Sequence, residues 1–326
     1  MKSILVTGAA GFIGSTLSKI LLQQGYHVTG IDSFDPFYPR EIKVENIKPL
    51  LESKQFELLE LDIRNSLEPL SNKKFDAVIH LAAKAGVLSS ISDTAGYLKT
   101  NVLGTNNLLE YMKKTGCRNM VFGSSSSVYG ANASGVFSED SSTDFPLSPY
   151  AASKKACELL LHNYHHLFGF SVACLRFFSV YGPAQRPDLA FNKFSKLMAA
   201  NQAITLYGDG TSSRDYTYVS DIVEGILLSL AFIDKPEPVY ECINIGNGKP
   251  ITLIDMVKKL YAIMGKPENL QFIDQQAGDM PHTCANISKA QIMLGYSPKV
   301  SFDDGLELFM GWIEGQRKSS LPSLTT

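Results

Sequence analysis

The chain has 326 residues, 44% of them hydrophobic and 19% charged, with a formal net charge of −2. That length buries a full core in one large domain or two interlocked ones. The charge balance offers no basic field for nucleic acid, and no apolar stretch is long enough to span a bilayer, so no nucleic-acid or membrane partner is expected.

Residues 3–7 form an apolar run ending at Gly8. Lys2-Ser3-Ile4-Leu5-Val6 begins like a secretion signal but runs into glycines, and predicts a first strand instead. Helical spacing at Leu17, Ile20 and Leu21 predicts a helix over 12–24, and 26–31 a second strand ending at Asp32. Further buried-type strands are predicted at 56–61, 77–81, 120–123 and 171–176, with helices around 100–115 and 150–168 between them. This alternation predicts an α/β, Rossmann-type doubly wound parallel sheet over residues 1–180, with a ligand crevice beyond the carboxyl ends of its strands. After Tyr181-Gly182-Pro183 the texture changes, and Gly/Pro/Asp-rich loops interrupt shorter elements. A smaller, loop-rich C-terminal substrate lobe is expected over 181–315, with part of 215–250, including a helix at 218–233, packing back on the first domain. Residues 316–326 are polar and expected to fray.

The first turn, Thr7-Gly8-Ala9-Ala10-Gly11-Phe12-Ile13-Gly14, lies between a strand and a helix, the context in which glycines bind a dinucleotide. Gly8 permits the tight turn, Gly11 lets the backbone approach a pyrophosphate, and Gly14 lets helix and strand pack closely. The pyrophosphate meets free N–H groups at the helix N-terminus, around Phe12 and Ile13. Asp32, eighteen residues past Gly14, can accept bonds from the adenosine ribose hydroxyls and repel a 2′-phosphate. No arginine follows it closely, so NAD is expected rather than NADP. Asp62 and Ile63 fall where the adenine amino group can be held. Leu81, Ala82, Ala83 and Lys84 end the fourth strand, with small residues where the backbone must pass close to the cofactor.

Tyr150 and Lys154 are four residues apart, about one helical turn, so phenol and ammonium share a face. A free tyrosine titrates near pH ~10, and a neighbouring cation favours the phenolate, giving a proton acceptor that works at neutral pH. The His162, His165 and His166 group has partial zinc spacing but lacks the Glu of a His-Glu-x-x-His motif, and reads as a solvated or dimer-facing surface, so no metal is expected. Five scattered cysteines read as reduced thiols of a cytoplasmic protein.

Together, the Thr7–Gly14 turn, Asp62-Ile63, His80-Leu81-Ala82-Ala83, Asn101-Val102-Leu103-Gly104-Thr105, the Ser124 to Gly130 run, the Tyr150/Lys154 pair and the Arg176 to Pro183 segment resemble the extended short-chain dehydrogenase/reductases over essentially the whole chain. Within that family the chain is most similar to nucleotide-sugar 4-epimerases, above all those acting on UDP-glucuronate, through Asp35-Pro36-Phe37-Tyr38-Pro39-Arg40, Arg186-Pro187-Asp188, Tyr207-Gly208-Asp209-Gly210-Thr211, Ser213-Arg214-Asp215 and Gly278-Asp279-Met280-Pro281. The resemblance implies bound NAD, a UDP-sugar, and a homodimer packed through the 100–115 and 150–168 helices. It implies inversion at C4 through a transient 4-keto sugar, with Tyr150 taking the 4-hydroxyl proton directly or through Ser125, and Lys154 holding the nicotinamide ribose. Asn101 and Phe177 join the cofactor set. Ser125, Ser126, Ser179, Arg186, Lys193, Thr205, Tyr207, Arg214 and Asp279 form the substrate set, with Arg214 on the diphosphate, Thr205 and Tyr207 by the uracil, and Arg186 near a sugar carboxylate.

Family dehydratases carry Asp-Glu just after the Ser/Thr, and decarboxylases a Glu before Val-Tyr-Gly. Ser126 and Ser127 stand at those places, which favours epimerisation. The Ser124 to Ser127 run can also be read as a turn satisfying its own backbone. Leu88 stands where glucuronate enzymes place an arginine, which keeps UDP-glucose/galactose and UDP-N-acetylhexosamine open as alternatives. Decarboxylation, dehydration and a cofactor-sensing role are the remaining readings.

Overall fold

The computed structural model describes residues 2–131, 135–274 and 282–320. Seven strands form one parallel sheet: β1 (Ser3–Thr7), β2 (His27–Asp32), β3 (Phe56–Glu60), β4 (Ala77–His80), β5 (Asn119–Ser125), β6 (Ser171–Phe177) and β7 (Tyr240–Ile245). Their order is β7-β6-β5-β4-β1-β2-β3, which reverses direction between β1 and β4. A ligand crevice is expected at that switch point. All seven residues of β6 are buried, as a strand covered on both faces requires.

Helices α1 (Phe12–Gln23), α2 (Arg40–Ile47), α3 (Gly104–Thr115), α4 (Pro149–Phe168), α5 (Ala190–Ala199), α6 (Val219–Ile233), α7 (Leu253–Met264) and α8 (Phe302–Ser320) complete the frame. One face of the sheet is covered by α1 and α6 through Leu17, Leu21, Ile222 and Ile226. On the other face α3 and α4 pack through Leu108, Met112, Cys157 and Leu161. A separate core joins α5, α7 and α8 through Phe191, Met256, Leu260 and Phe309, and Phe12 of α1 belongs to it as well. The next residue, Ile13, packs against both this core and the one on the sheet.

The sequence reading missed β7, the edge strand beside β6. Three of its six residues are only half-buried, which weakens its apolar signature. At the other end of the chain the helical ladder of α8 continues through Ser320, past the point where polar composition predicted fraying; residues 321–326 lie outside those described. Among the described residues no helix is long and apolar enough to cross a membrane.

One buried ion pair fixes α4 on the sheet. The Glu158 carboxylate receives Arg176 Nε at 3.0 Å and Nη2 at 2.9 Å, and the Ser124 hydroxyl at 2.7 Å. Glu158 is 1% exposed and Arg176 3%. Breaking such a pair strands a buried charge, whereas replacing both partners removes the desolvation penalty as well. Glu158→Gln is expected to lose about 3 kcal/mol of stability, and Glu158→Leu combined with Arg176→Leu to regain much of it. Urea denaturation of the three proteins checks this; equal losses in single and double variants would reject the pair as the source.

Candidate active site

The carboxyl ends of β1, β2, β4, β5 and β6 open into one cleft of about 620 Å³. Gly8, Gly11, Phe12, Ile13 and Gly14 form part of its wall. Gly8 has φ +71°, and a Cβ there would lie 2.9 Å from the Ala82 backbone nitrogen; a Cβ on Gly14 would lie 2.1 Å from the Gly8 carbonyl oxygen. Turn, helix and the end of β4 are thus packed backbone to backbone. Gly11 caps α1 without a side-chain bond, which leaves first-turn N–H groups able to receive an anion. A cradle with no room for a Cβ at Gly8 or Gly14, ending in uncapped first-turn N–H groups, fits the diphosphate of a dinucleotide.

Asp32 ends β2 in the cleft wall. Its Oδ2 accepts from Ala10 N at 3.1 Å and its Oδ1 from Phe34 N at 2.8 Å. Phe34 adopts φ +50°, the left-handed turn that brings its N–H back to the carboxylate. Lys43 on α2 adds an ammonium at 3.5 Å and is itself buried. Asp62 and Ile63 line the same end. Arg64, paired with Asp62 through Nε at 2.9 Å, holds the Asp62 carboxyl below its usual range.

The loop after β4 is held from behind. Thr7 Oγ1 accepts from Leu81 N at 3.1 Å and Ala82 N at 3.0 Å. Asn101 bonds both backbone groups of Lys84, accepting from its N at 2.8 Å and donating to its O at 3.0 Å. Lys84 Nζ donates to Asp93 at 2.7 Å. Beneath this loop His80, between Thr7 and Thr105, is driven down to about 3 by burial and stays neutral.

Ser125, Tyr150, Lys154 and Phe177 line the cleft together with the glycine turn. Ser148 caps α4, accepting from Ala151 N at 3.1 Å, and Pro149 at the first helical position sets the entry that presents Tyr150. The electrostatics differ from the expectation drawn from spacing. Burial raises the Tyr150 phenol, opposed by hydrogen bonding to Ser125 and by the charge of Arg186; Tyr97 raises it further. Lys154 instead donates to the Gly123 carbonyl at 2.6 Å, and burial lowers its ammonium to about 8. Among the chain's own groups, desolvation of a phenolate outweighs the cations beside it.

Of the remaining predicted residues, Ala83, Ser179, Arg186 and Arg214 also line the cleft. Asn101 is buried behind the wall and supports it through Lys84. Ser126, Lys193, Thr205 and Tyr207 stand off the wall; Lys193 is exposed on α5, and Thr205 and Tyr207 point outward from a short strand, Ile204–Tyr207. Asp279 lies outside the described residues. Arg186 is bidentate to Asp188, at 3.0 and 2.7 Å, reaches Ala85 O at 3.2 Å, and stacks over Phe37 at 4.9 Å. Leu88 is 64% exposed and does not contribute to the wall.

Sequence reasoning missed Lys43, Tyr97 and Arg64. Tyr97 is buried, bonds Ser89 Oγ at 2.6 Å and meets the Tyr150 ring edge-on at 6.2 Å. Its position four residues before Asn101, on the same helical face, is the one local signal that points to it.

The family described as NAD dependent epimerase/dehydratase matches residues 4–246. A UDP-glucuronate 4-epimerase of Thermodesulfobacterium geofontis is 41% identical over 316 residues, covering 96% of both chains. The crystal structure of UDP-glucuronic acid 4-epimerase from Bacillus cereus, in complex with UDP-glucuronic acid and NAD, superposes with TM-score 0.90 at 40% identity, covering 96% of this chain and 99% of that one. A UDP-glucose 4-epimerase of Thermotoga maritima with UDP-glucose gives TM-score 0.87 at 31% identity, with 97% and 99% covered.

Two outcomes follow from the geometry. Gly14→Ala forces a methyl against a carbonyl that cannot yield, and is expected to cost at least about 2 kcal/mol and to abolish NAD binding, read by denaturation and by calorimetric titration. Gly25→Ala, at φ +82° with nothing within 4 Å, carries only the backbone cost and keeps binding. Turnover is expected to fall as pH rises through about 8, where Lys154 loses its proton; a pH–rate profile flat to pH ~10, the range of an unperturbed lysine, would contradict this.

Proposed function

We propose, for a chain that belongs to the NAD-dependent epimerase/dehydratase family, that it inverts C4 of a UDP-sugar, most readily converting UDP-glucuronate to UDP-galacturonate in the cytoplasm. The observation that carries this reading is the meeting of Tyr150, Ser125 and Lys154 with the glycine turn in one cleft. Nicotinamide, when bound, supplies reversible hydride acceptance at the sugar carbon. The chain supplies the rest. Gly8 to Gly14 and the N-terminus of α1 hold the diphosphate of the cofactor, and Asp32 accepts from its ribose. Lys154, which donates to the Gly123 carbonyl, would hold the nicotinamide ribose. Tyr150 takes the proton of the 4-hydroxyl and returns it after the ring has turned. Serine at 126 and 127 puts no carboxylate at the two places where dehydratases and decarboxylases carry one to drive elimination or loss of carbon dioxide.

Arg214 and Ser179 line the part of the cleft that suits the UDP diphosphate. Asp279 is assigned to the uridine ribose, and Thr205 and Tyr207 to the uracil edge. Arg186 is the cation for the sugar carboxylate. Its existing pair with Asp188 compensates that charge, and this favours a second reading in which a neutral UDP-hexose is used. A homodimer through α3 and α4 belongs to the proposal, since the exposed Leu159 and Leu167 on α4 and Leu103 just ahead of α3 present apolar surface there.

Incubation with UDP-glucuronate, UDP-glucose and UDP-N-acetylglucosamine, followed by NMR of the products, tests the assignment. UDP-galacturonate is expected in the first reaction; its absence removes the glucuronate assignment, and galactose-type product alone establishes the second reading. Tyr150→Phe is expected to lose at least about 1,000-fold in kcat, on the scale of an essential proton acceptor. Full turnover in that variant would remove the mechanism.

A further inference from the structure

The edge of the sheet carries two thiols that the proposed reaction does not use. Cys174 on β6 and Cys242 on β7 are paired in register across the parallel ladder. Both pack on the same face, the one covered by α3 and α4. The Tyr240 hydroxyl lies 3.5 Å from the Cys242 sulfur and 3.9 Å from the Cys174 sulfur, so one oxygen touches both. Neighbouring strands run about 4.8 Å apart, inside the Cα separation of about 4.4–6.8 Å that a disulfide spans. The Cβ atoms of a disulfide stand closer than that strand spacing, at about 3.5–4.5 Å. Closure therefore draws the strands together, and the resulting bond is strained and easily reduced. β7 can follow, because it pairs on one side only.

The pair lies between the two groups that hold Glu158 from the sheet. Two residues before Cys242, on the same face, is Tyr240, which donates to the Glu158 carbonyl at 2.9 Å. Two residues past Cys174, on the same face, is Arg176, whose guanidinium holds the Glu158 carboxylate. The Tyr240 ring also meets His162 at 5.0 Å and His165 at 5.9 Å. Movement of β7 against β6 thus reaches α4, the helix of Tyr150 and Lys154, through Glu158, His162 and His165.

We propose that Cys174 and Cys242 are a site of reversible oxidative modification, which closes to a disulfide in the presence of a hydroperoxide and loosens the hold of the sheet on α4. Cys242 is half-buried on the edge strand and Cys174 is fully buried, so the oxidant meets Cys242 first. The Cys242 thiolate attacks one peroxide oxygen. The S–O bond forms, the O–O bond breaks, and the departing oxygen leaves as an alcohol or water with the proton the thiol gave up. The Cys174 sulfur then attacks the sulfenic sulfur. The S–S bond forms, the S–O bond breaks, and hydroxide leaves as water with the Cys174 proton. The two thiols lose two electrons and the peroxide gains them. A dithiol reverses the change by exchange.

The test uses the full chain with hydrogen peroxide as the probe. Digestion without reductant is expected to yield a Cys174–Cys242 linked peptide pair by mass spectrometry. The pair disappears after dithiothreitol and does not form in Cys242→Ser or Cys174→Ala. In the linked protein, amide hydrogen exchange over Pro149–Phe168 is expected to quicken. Turnover of the UDP-sugar is expected to fall roughly 10- to 100-fold, the scale of misplacing reacting groups by up to about 1 Å, and to recover with dithiothreitol. Cys242→Ser keeps its turnover in peroxide. Cys242 carried on to the sulfinic acid while Cys174 stays free would overturn the site. Linked protein with unchanged exchange over that helix, or with undiminished turnover, would overturn the switch. Only the turnover measurement rests on the epimerase reading: if no UDP-sugar reacts even with reduced protein, that reading fails, while linkage and exchange still decide what the thiol pair does.

Discussion

The site depends on the buried carboxylate of Glu158. Three elements bring side chains to this part of the cleft wall: α4 brings Tyr150 and Lys154, β5 brings Ser125, and β6 brings Phe177. Glu158 belongs to the first and bonds Ser124 of the second and Arg176 of the third. Tyr240 on β7 adds a fourth contact by donating to the Glu158 carbonyl at 2.9 Å. A buried ion pair is weak evidence for stability, because desolvation offsets most of its attraction. What it does supply is a tie between three elements: the residues one position from Ser124 and Arg176 and one helical turn from Glu158, namely Ser125, Phe177 and Lys154, line the cleft.

The same dense packing explains why tyrosine and lysine at helical spacing do not behave as an isolated pair. Spacing places both side chains on one face of α4, and both line the cleft as expected. It says nothing about where the lysine tip goes. Gly123 lies in β5 just past the end of that strand's pairing with β4, and Lys154 Nζ donates to its carbonyl. The phenol then meets Ser125, Tyr97 and the field of Arg186, none of which is near it in sequence. The acidity of Tyr150 is set by four segments of chain, and its burial raises the phenol until further positive charge enters the cleft.

Legibility in the sequence follows the range of the interaction. Strands β1, β4 and β6 are continuous apolar runs between turn residues, and burial on both faces makes such runs necessary, so their place was evident. The glycine turn was evident for the same kind of reason, since a missing Cβ is a local statement about close approach, and Gly14 bears it out at 2.1 Å from Gly8 O. Strand β7 was not evident, because an edge strand half-covered by α4 mixes Tyr240, Glu241 and Cys242 in no clear period. Asn101 was recognised as part of a motif, but its action through the Lys84 backbone needed the fold. Lys43 is a single residue on a helix that turns a polar tip toward the cleft, and no local pattern separates it from an ordinary helical face.

Lys43 also refines what Asp32 selects. The expectation of NAD rested on an aspartate with no cation close behind it in sequence. A cation is close in space, 3.5 Å away and seated over the Tyr38 ring at 4.9 Å. Lys43 therefore offsets the charge of Asp32 itself, and simple repulsion of a 2′-phosphate by that carboxylate is a weaker argument than it looked. What remains is geometry. Both carboxylate oxygens are fixed by backbone N–H groups of Ala10 and Phe34, and their remaining lone pairs are acceptors only. A ribose diol brings two donors to such a group, whereas a phosphate brings only acceptors. Matching of donors to acceptors at a rigid carboxylate would thus favour an unphosphorylated ribose even with the nearby charge neutralised.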